Sequence, residues 1–248
     1  MKNILLLTST IQPKPDQPHL KLADPAERLR DYLAALEFQN HLLQRGVVDR
    51  IVYVDNSGYD LTPLRTRFPS PNIEWISFYG LDYDASYHRG YGEFSLIDHG
   101  FAHAATLRDM ENSDRVWKLT GRYVVKNLAR VIALTPRRFD LYCNVDRGWA
   151  EMGFMAWSRR GYETHIQNLW QYFATDKAPE LILADRLKNP SAQQSRVFKT
   201  FFWAPFIVGR RGFDGTSFQG RFTPLRFLLA ACYKLAVWPL RCVRAMTT

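Results

Sequence analysis

Five groups of residues have types and spacings that suit chemistry. Asp55-Asn56-Ser57-Gly58 follows the apolar run Ile51-Val52-Tyr53-Val54, so an acid, an amide and a hydroxyl stand together at the end of an extended segment. Lys118 and Arg122 flank Leu119-Thr120-Gly121. A guanidinium offers a bidentate fork to an oxyanion and an ammonium offers a point charge, so this pair suits an anionic ligand. Glu180, just after Pro179, and Asp146 are carboxylates, a type that takes a proton from a hydroxyl, with Glu151, Glu163 and Asp185 as further candidates. Asp82-Tyr83-Asp84 is a tight acid pair of the kind that holds a divalent cation. His99 and His103 share a helix face at a spacing that binds zinc, although no Glu follows His99 in the HExxH manner.

Each group also has a plainer explanation. Asp, Asn, Ser and Gly are favoured turn residues. Lys118 and Arg122 would serve as solvated charges at a strand end. Glu180 in a first helical turn stabilises the helix dipole. Acid pairs within three residues arise by chance, and helix histidines are satisfied by local hydrogen bonds.

The elements that must position these residues follow from periodicity. Residues 4–11 read as a buried strand, followed by a Pro-rich polar loop (12–22). Asp24-Pro25-Ala26-Glu27 starts a helix with a cap, a proline at the first position and a capping-box acid. Leu29, Leu33, Leu36 and Leu43 line one face of it, and Gly46 stops it. Further strands are expected at 50–55, 72–78, 115–120 and 139–145, and helices at 61–68, 92–110, 123–132, 165–173 and 179–187. An aromatic stretch (198–208) and a Gly/Arg-rich loop (209–220) follow. Strands alternating with helices predict an α/β fold with a mostly parallel, mixed open sheet and a helical C-terminal part. Ligands of such sheets sit at the carboxyl ends of the strands, which selects residues 8–10 (Thr10 among them), 55–57, 79–80 and 118–122.

Several enzyme classes lack their motifs here. There is no GxxxxGK[ST] phosphate loop, and Gly90-Tyr91-Gly92 is followed by Ser95 where a third glycine is needed. The GxSxG nucleophile elbow is also absent.

Ile51-Val52-Tyr53-Val54-Asp55-Asn56-Ser57-Gly58 and Lys118-Leu119-Thr120-Gly121-Arg122-Tyr123 resemble segments of GT-A-fold nucleotide-sugar glycosyltransferases of bacterial surface-polysaccharide biosynthesis. The resemblance spans residues 2–185 in element order, but only those two segments are specific. It implies that Asp55, with Asn56, lies at the nucleoside. It implies too that Arg89-Gly90-Tyr91-Gly92-Glu93 leads a donor-contacting helix, with Arg89 among the donor contacts. Most such enzymes carry Asp-x-Asp at the end of the strand that here delivers Lys118 to Arg122. Fixed cations stabilise a departing nucleoside diphosphate as a metal does. The expected donor site therefore comprises Thr10, Asp55, Asn56, Arg89, Lys118 and Arg122, with no cofactor. The alternative is Mn²⁺ or Mg²⁺ at Asp82 and Asp84. The resemblance also implies an acceptor-side carboxylate base, often at a helix start, for which Glu180 and Asp146 are the candidates.

The chain has 248 residues, 46% of them apolar and 14% aromatic, which excludes a disordered or low-complexity protein. Three scattered cysteines exclude a disulfide framework or a CxxC zinc site. The net charge is +9, and from Arg196 onward nine Lys/Arg face one acid, Asp214. The basic charge is thus C-terminal and argues for an anionic partner there. Arg226, Lys234, Arg241 and Arg244 project from one face of a helical projection of 224–246, beside Phe227, Leu228, Trp238 and other apolar residues. That pattern predicts an amphipathic helix on a membrane surface. The sequence thus divides into an α/β domain (1–220) and a basic membrane-associating tail (221–248).

The function expected is transfer of a sugar from a nucleotide donor, a UDP-sugar, to a lipid-linked saccharide at the inner face of the cell membrane, by a cytoplasmic peripheral protein. Two alternatives are a nucleotidyltransferase and a nucleic-acid-binding protein. The first should carry a Gly-rich basic loop after its first strand, and residues 8–18 have one lysine and no glycine. The second should interleave basic and aromatic residues on one reading surface; the basic cluster sits in an apolar tail instead, so no nucleic-acid partner is expected.

Overall fold

A computed structural model describes residues 1–15, 20–88, 90–188, 195–212 and 214–217. The expected tail at 221–248 and Arg89 lie outside the described residues.

The first strand, β1 (Asn3–Ser9), is buried on both faces. Leu5 and Leu7 enter one hydrophobic cluster, while Ile4 and Leu6 enter another. Side chains alternate across a strand, so an unbroken apolar run needs a layer of structure on each face. Helix α1 (Pro25–Gln44) covers one face and α3 (Gly90–His103) contacts the other. Strand β2 (Arg50–Asp55) pairs in parallel with β1, and β3 (Ile73–Ser77) with β2, after the short helix α2 (Thr62–Arg67). On its other side β1 pairs in parallel with β4 (Arg115–Thr120), reached through α3 and α4 (Ala105–Arg108).

Beyond β4 the chain departs from simple alternation. Where one helix was expected from residue 123, the short strand β5 (Val124–Val125) precedes α5 (Leu128–Leu134). The strand expected at 139–145 divides into β6 (Leu141–Tyr142) and β7 (Val145–Asp146); β7 forms a hairpin with β8 (Trp149–Ala150). Strand β9 (Phe154–Trp157), absent from the sequence reading, is fully buried and runs antiparallel between β4 and β6. Four apolar residues show no alternation, so periodicity alone did not separate them from helix. After α6 (Arg159–Gly161), the helix expected at 165–173 is a π-turn (Tyr162–Ile166) followed by a 3₁₀ segment (Leu169–Phe173). Helix α7 (Pro179–Arg186) then leads to β10 (Val197–Phe198) on the sheet edge and β11 (Ile207–Val208), which pairs with β5.

The seven-stranded sheet runs β10-β6-β9-β4-β1-β2-β3, with only β9 reversed. This is the mostly parallel, mixed α/β sheet expected from the alternation. No described helix is long and apolar enough to cross a membrane.

Candidate active site

A cleft of about 720 Å³ opens at the carboxyl ends of β1, β2 and β4. Thr8, Ser9 and Thr10 form its floor with Asn56, Thr120 and Arg122. The start of α3 contributes Gly90, Gly92 and Glu93. Trp149, Glu151 and Glu180 stand on the side of the β7–β8 hairpin and α7.

Helix α1 brings two residues to the cleft that the sequence reading did not single out. Arg28 and Tyr32 are one turn apart on its buried face, which continues through Leu36, Gln39 and Leu43. Leu29 and Leu33, expected on the core side, are only partly buried. The signal available in the sequence was the polar i, i+4 pair in register with Leu36 and Leu43. Arg28 is 4% exposed. Its Nε donates to the Thr10 carbonyl at 2.6 Å, Nη1 to the Leu22 carbonyl at 2.9 Å and Nη2 to the Tyr32 hydroxyl at 3.4 Å.

Arg122 reaches the same hydroxyl from β4. Its Nη1 donates to Tyr32 Oη at 3.4 Å and its Nε to the Arg210 carbonyl at 2.9 Å. Gly121 permits this approach. Its N–H donates to the Thr8 carbonyl at 2.8 Å, and a Cβ there would lie 3.0 Å from that oxygen and 3.3 Å from the Tyr32 ring. Among the described residues neither guanidinium makes an ion pair. Burial lowers the Arg28 pKa, Tyr32 offsets this in part, and the neighbouring Arg122 charge lowers it further. Burial also lowers the Arg122 pKa, but Tyr32, Tyr123 and Glu93 raise it overall. Among the described residues, two adjacent guanidinium groups thus line one cleft without an ion-pair partner, an arrangement whose chemistry suits an anion.

A strap at 207–212 fixes Arg122 from above. Arg210 forks onto Asp31 of α1 with two 3.0 Å bonds, and the Gly212 carbonyl accepts from Leu22 N–H at 3.1 Å. Arg211, Gly212 and Asp214 line the cleft. Part of the C-terminal basic charge therefore belongs to this site.

The other residues named from sequence are placed as follows. Thr10 and Asn56 line the cleft and bond to each other, with Thr10 Oγ1 donating to Asn56 Oδ1 at 2.6 Å. Asn56 Nδ2 ties this pair to the Gly92 carbonyl at 3.2 Å. Glu180 also lines the cleft.

Asp55 does not fit a nucleoside contact. It is 0% exposed, and its carboxylate accepts from Ser9 Oγ (2.8 Å), Ile11 N–H (2.9 Å), Ser57 N–H (2.8 Å) and Ser57 Oγ. Four internal donors saturate it, so it shapes the floor without touching a ligand. Lys118 does not fit a diphosphate contact either. It has no exposed surface, and its ammonium donates to Glu93 Oε1 at 2.6 Å and to the Met152 carbonyl at 2.7 Å. Asp146 is exposed on the β7–β8 hairpin, outside the cleft lining.

Asp82 and Asp84 are exposed as well, with Tyr83 between them facing the cleft. Among the described residues no three His, Cys, Asp or Glu side chains gather as a metal-binding group. His99 stacks between Phe78 (3.6 Å between centroids) and His103 (3.9 Å).

No protein-family model and no curated protein sequence matches the chain. Among solved structures, the chain is similar to a candidate nucleotide-diphospho-sugar transferase from Desulfovibrio desulfuricans, at 11% identity, covering 80% of this chain and 79% of that one, with a TM-score of 0.49. It is similar to a 4-diphosphocytidyl-2C-methyl-D-erythritol synthase at 13% identity, 75% and 85% coverage and a TM-score of 0.42. A CTP:phosphocholine cytidylyltransferase from Streptococcus pneumoniae gives 10% identity, 79% and 87% coverage and a TM-score of 0.38.

Proposed function

We propose that the chain is a glycosyltransferase whose cleft holds the diphosphate of a nucleotide-sugar, a UDP-sugar, without a metal ion. One observation carries the reading: Arg28 and Arg122 converge on the Tyr32 hydroxyl in an open cleft at the carboxyl ends of β1 and β4. In the reaction the bond between the anomeric carbon and the β-phosphate oxygen breaks, and the nucleoside diphosphate leaves with the electron pair. The two guanidinium groups stabilise the charge that develops there. An acceptor hydroxyl oxygen bonds to the anomeric carbon and gives its proton to a carboxylate, a role we assign to Glu180, which also lines the cleft. Trp149 is 44% exposed in the cleft and offers an aromatic face to the acceptor saccharide.

The acceptor in this reading is lipid-linked, because the sequence from 221 onward is basic and apolar. Full-length protein should sediment with anionic vesicles at low salt, and protein ending at residue 220 should not.

Calorimetry with UDP, GDP, CDP and ADP in EDTA tests the donor site. At least one should bind, and sugar-nucleotide turnover should survive EDTA. Release of pyrophosphate from a nucleoside triphosphate and a sugar phosphate would replace this reading with a nucleotidyltransferase.

A further inference from the structure

Glu93 is the cleft carboxylate whose surroundings are most fully specified. Thr8 and Thr120 are register partners on adjacent parallel strands, so their side chains emerge on the same face. Lys118 lies two residues before Thr120 and shares that face. The three converge on one atom: Glu93 Oε1 accepts from Lys118 Nζ at 2.6 Å and from Thr8 and Thr120 Oγ1 at 3.0 Å each. Lys118 is wholly buried, and its remaining contacts are the Met152 carbonyl and the face of Phe94 at 5.9 Å. The Glu93 side chain is 29% exposed and lines the cleft, and among the described residues Oε2 has no hydrogen-bond partner.

We propose that Glu93, held in place by Lys118, recognises a hydroxyl group of the bound ligand through Oε2. This rests on the cleft being a nucleotide-sugar site. An ionised carboxylate oxygen is an acceptor only, so its partner must donate, and the hydroxyls of a nucleotide-sugar are the ribose hydroxyls and those of the sugar. The negative charge of Glu93 favours polyol over phosphate at that position, because a second anion there is repelled.

The same clamp argues against a general-base role. Burial pushes the Glu93 carboxyl up, but the Lys118 charge and the bonds from Lys118, Thr8 and Thr120 bring it below its ordinary value. A carboxylate so stabilised is a poor proton acceptor and a good hydrogen-bond acceptor. Lys118 is then a positioning residue.

The test is calorimetry on the full chain and on Glu93→Gln. The ligands are the tightest binder among UDP, GDP, CDP and ADP, its 2′-deoxy and 3′-deoxy forms, its hexose conjugates and pyrophosphate. Glu93→Gln should weaken the hydroxyl-bearing ligand about tenfold or more, as expected for a lost charge-assisted bond, and leave pyrophosphate as tight or tighter. A penalty that vanishes with the 2′-deoxy ligand assigns the ribose. A penalty that appears only with the hexose conjugates assigns the sugar. A penalty that vanishes with the 3′-deoxy ligand likewise assigns the ribose. If the penalty persists with both deoxy ligands and is no larger with the conjugates, if all affinities stay within twofold, or if pyrophosphate weakens equally, the proposal is overturned while the donor site stands. If the wild-type protein binds no nucleotide, the donor-site reading falls and takes this one with it.

Should Glu93→Gln not fold, Glu93→Asp keeps the charge against Lys118 while withdrawing Oε2, and the same pattern is expected. Lys118→Met supplies the readout for positioning. Lys118, Arg122 and Tyr123 are the titratable groups coupled to Glu93. Without Lys118 the Glu93 carboxyl rises, so ligand binding should be lost at a higher pH than in the wild type. An unchanged pH midpoint would show that Lys118 does not set the state of Glu93.

Discussion

Lys118 Nζ lies 2.6 Å from Glu93 Oε1, a contact between a wholly buried ammonium on the fourth strand and a cleft carboxylate on the helix that leads to it. A lysine taken out of water needs its partner, because an uncompensated buried charge is costly. The pair therefore ties α3 to the centre of the sheet and fixes one wall of the cleft.

Breaking that pair should be visible in stability. Lys118→Met leaves Glu93 without its ammonium and should cost about 2–4 kcal/mol in a denaturant titration. Lys118→Met with Glu93→Gln should cost less than the lysine change alone, since no unpaired charge remains. A double variant as unstable as the sum of the two single changes would contradict this coupling.

Arg122 is the cleaner probe of the anion site, because it is half-buried whereas Arg28 also holds the Thr10 and Leu22 carbonyls. Arg122→Ala should raise the dissociation constant for a nucleoside diphosphate about tenfold to a hundredfold, the range for charged hydrogen bonds. Its far-UV circular dichroism should match the wild type. Unchanged affinity would remove Arg122 from the site.

Asp55 should behave in the opposite way. Asp55→Ala strands the donors of Ser9, Ile11 and Ser57 and should cost about 3 kcal/mol or more. Its effect on ligand affinity, measured where the variant is folded, should be small. A fully stable variant with lost nucleotide binding would restore the direct contact expected from the sequence.

Two histidines give stability a pH dependence. Burial lowers the pKa of His99, helped by the His103 charge, and burial also lowers that of His165, whose Nε2 lies 2.7 Å from Ser195 Oγ. A group whose folded pKa is depressed binds more protons in the unfolded chain, so stability falls as pH drops through the ordinary histidine range near about 6.5. The melting temperature should decline between about pH 7.5 and 5.5 for this reason. His165→Gln should flatten that decline; an equally steep one would point to other groups.

Much of the sheet could be read from the chain itself. The runs at 4–7 and 51–54 are apolar at every position, a pattern that only strands buried on both faces need, and Asp24-Pro25 marks the start of α1 to the residue. Thr10, Asn56 and Arg122 were selected by one rule, that the cleft of such a sheet opens at the carboxyl ends of its parallel strands, and all three line the cleft, as does Glu180. Strand β9 escaped because four buried residues carry no periodicity, and Leu29 and Leu33 point to a face of α1 one residue away from the buried one that holds Arg28 and Tyr32.

The sequence by itself determined strands β1 to β4, the start of α1 and the end of the sheet at which the cleft opens, because burial and capping are local properties of residue type. It did not determine which polar side chains face inward. Asp55 and Lys118 look like ligand contacts in one dimension, yet Ser9, Ile11 and Ser57 consume the first and Glu93 the second. Arg28 looks like an ordinary helix charge, yet it stands beside Arg122, 94 positions along the chain, at a shared tyrosine hydroxyl. Whether a charged group is spent internally or left to the cleft depends on donors and acceptors brought together from distant segments, and only the tertiary structure brings them together.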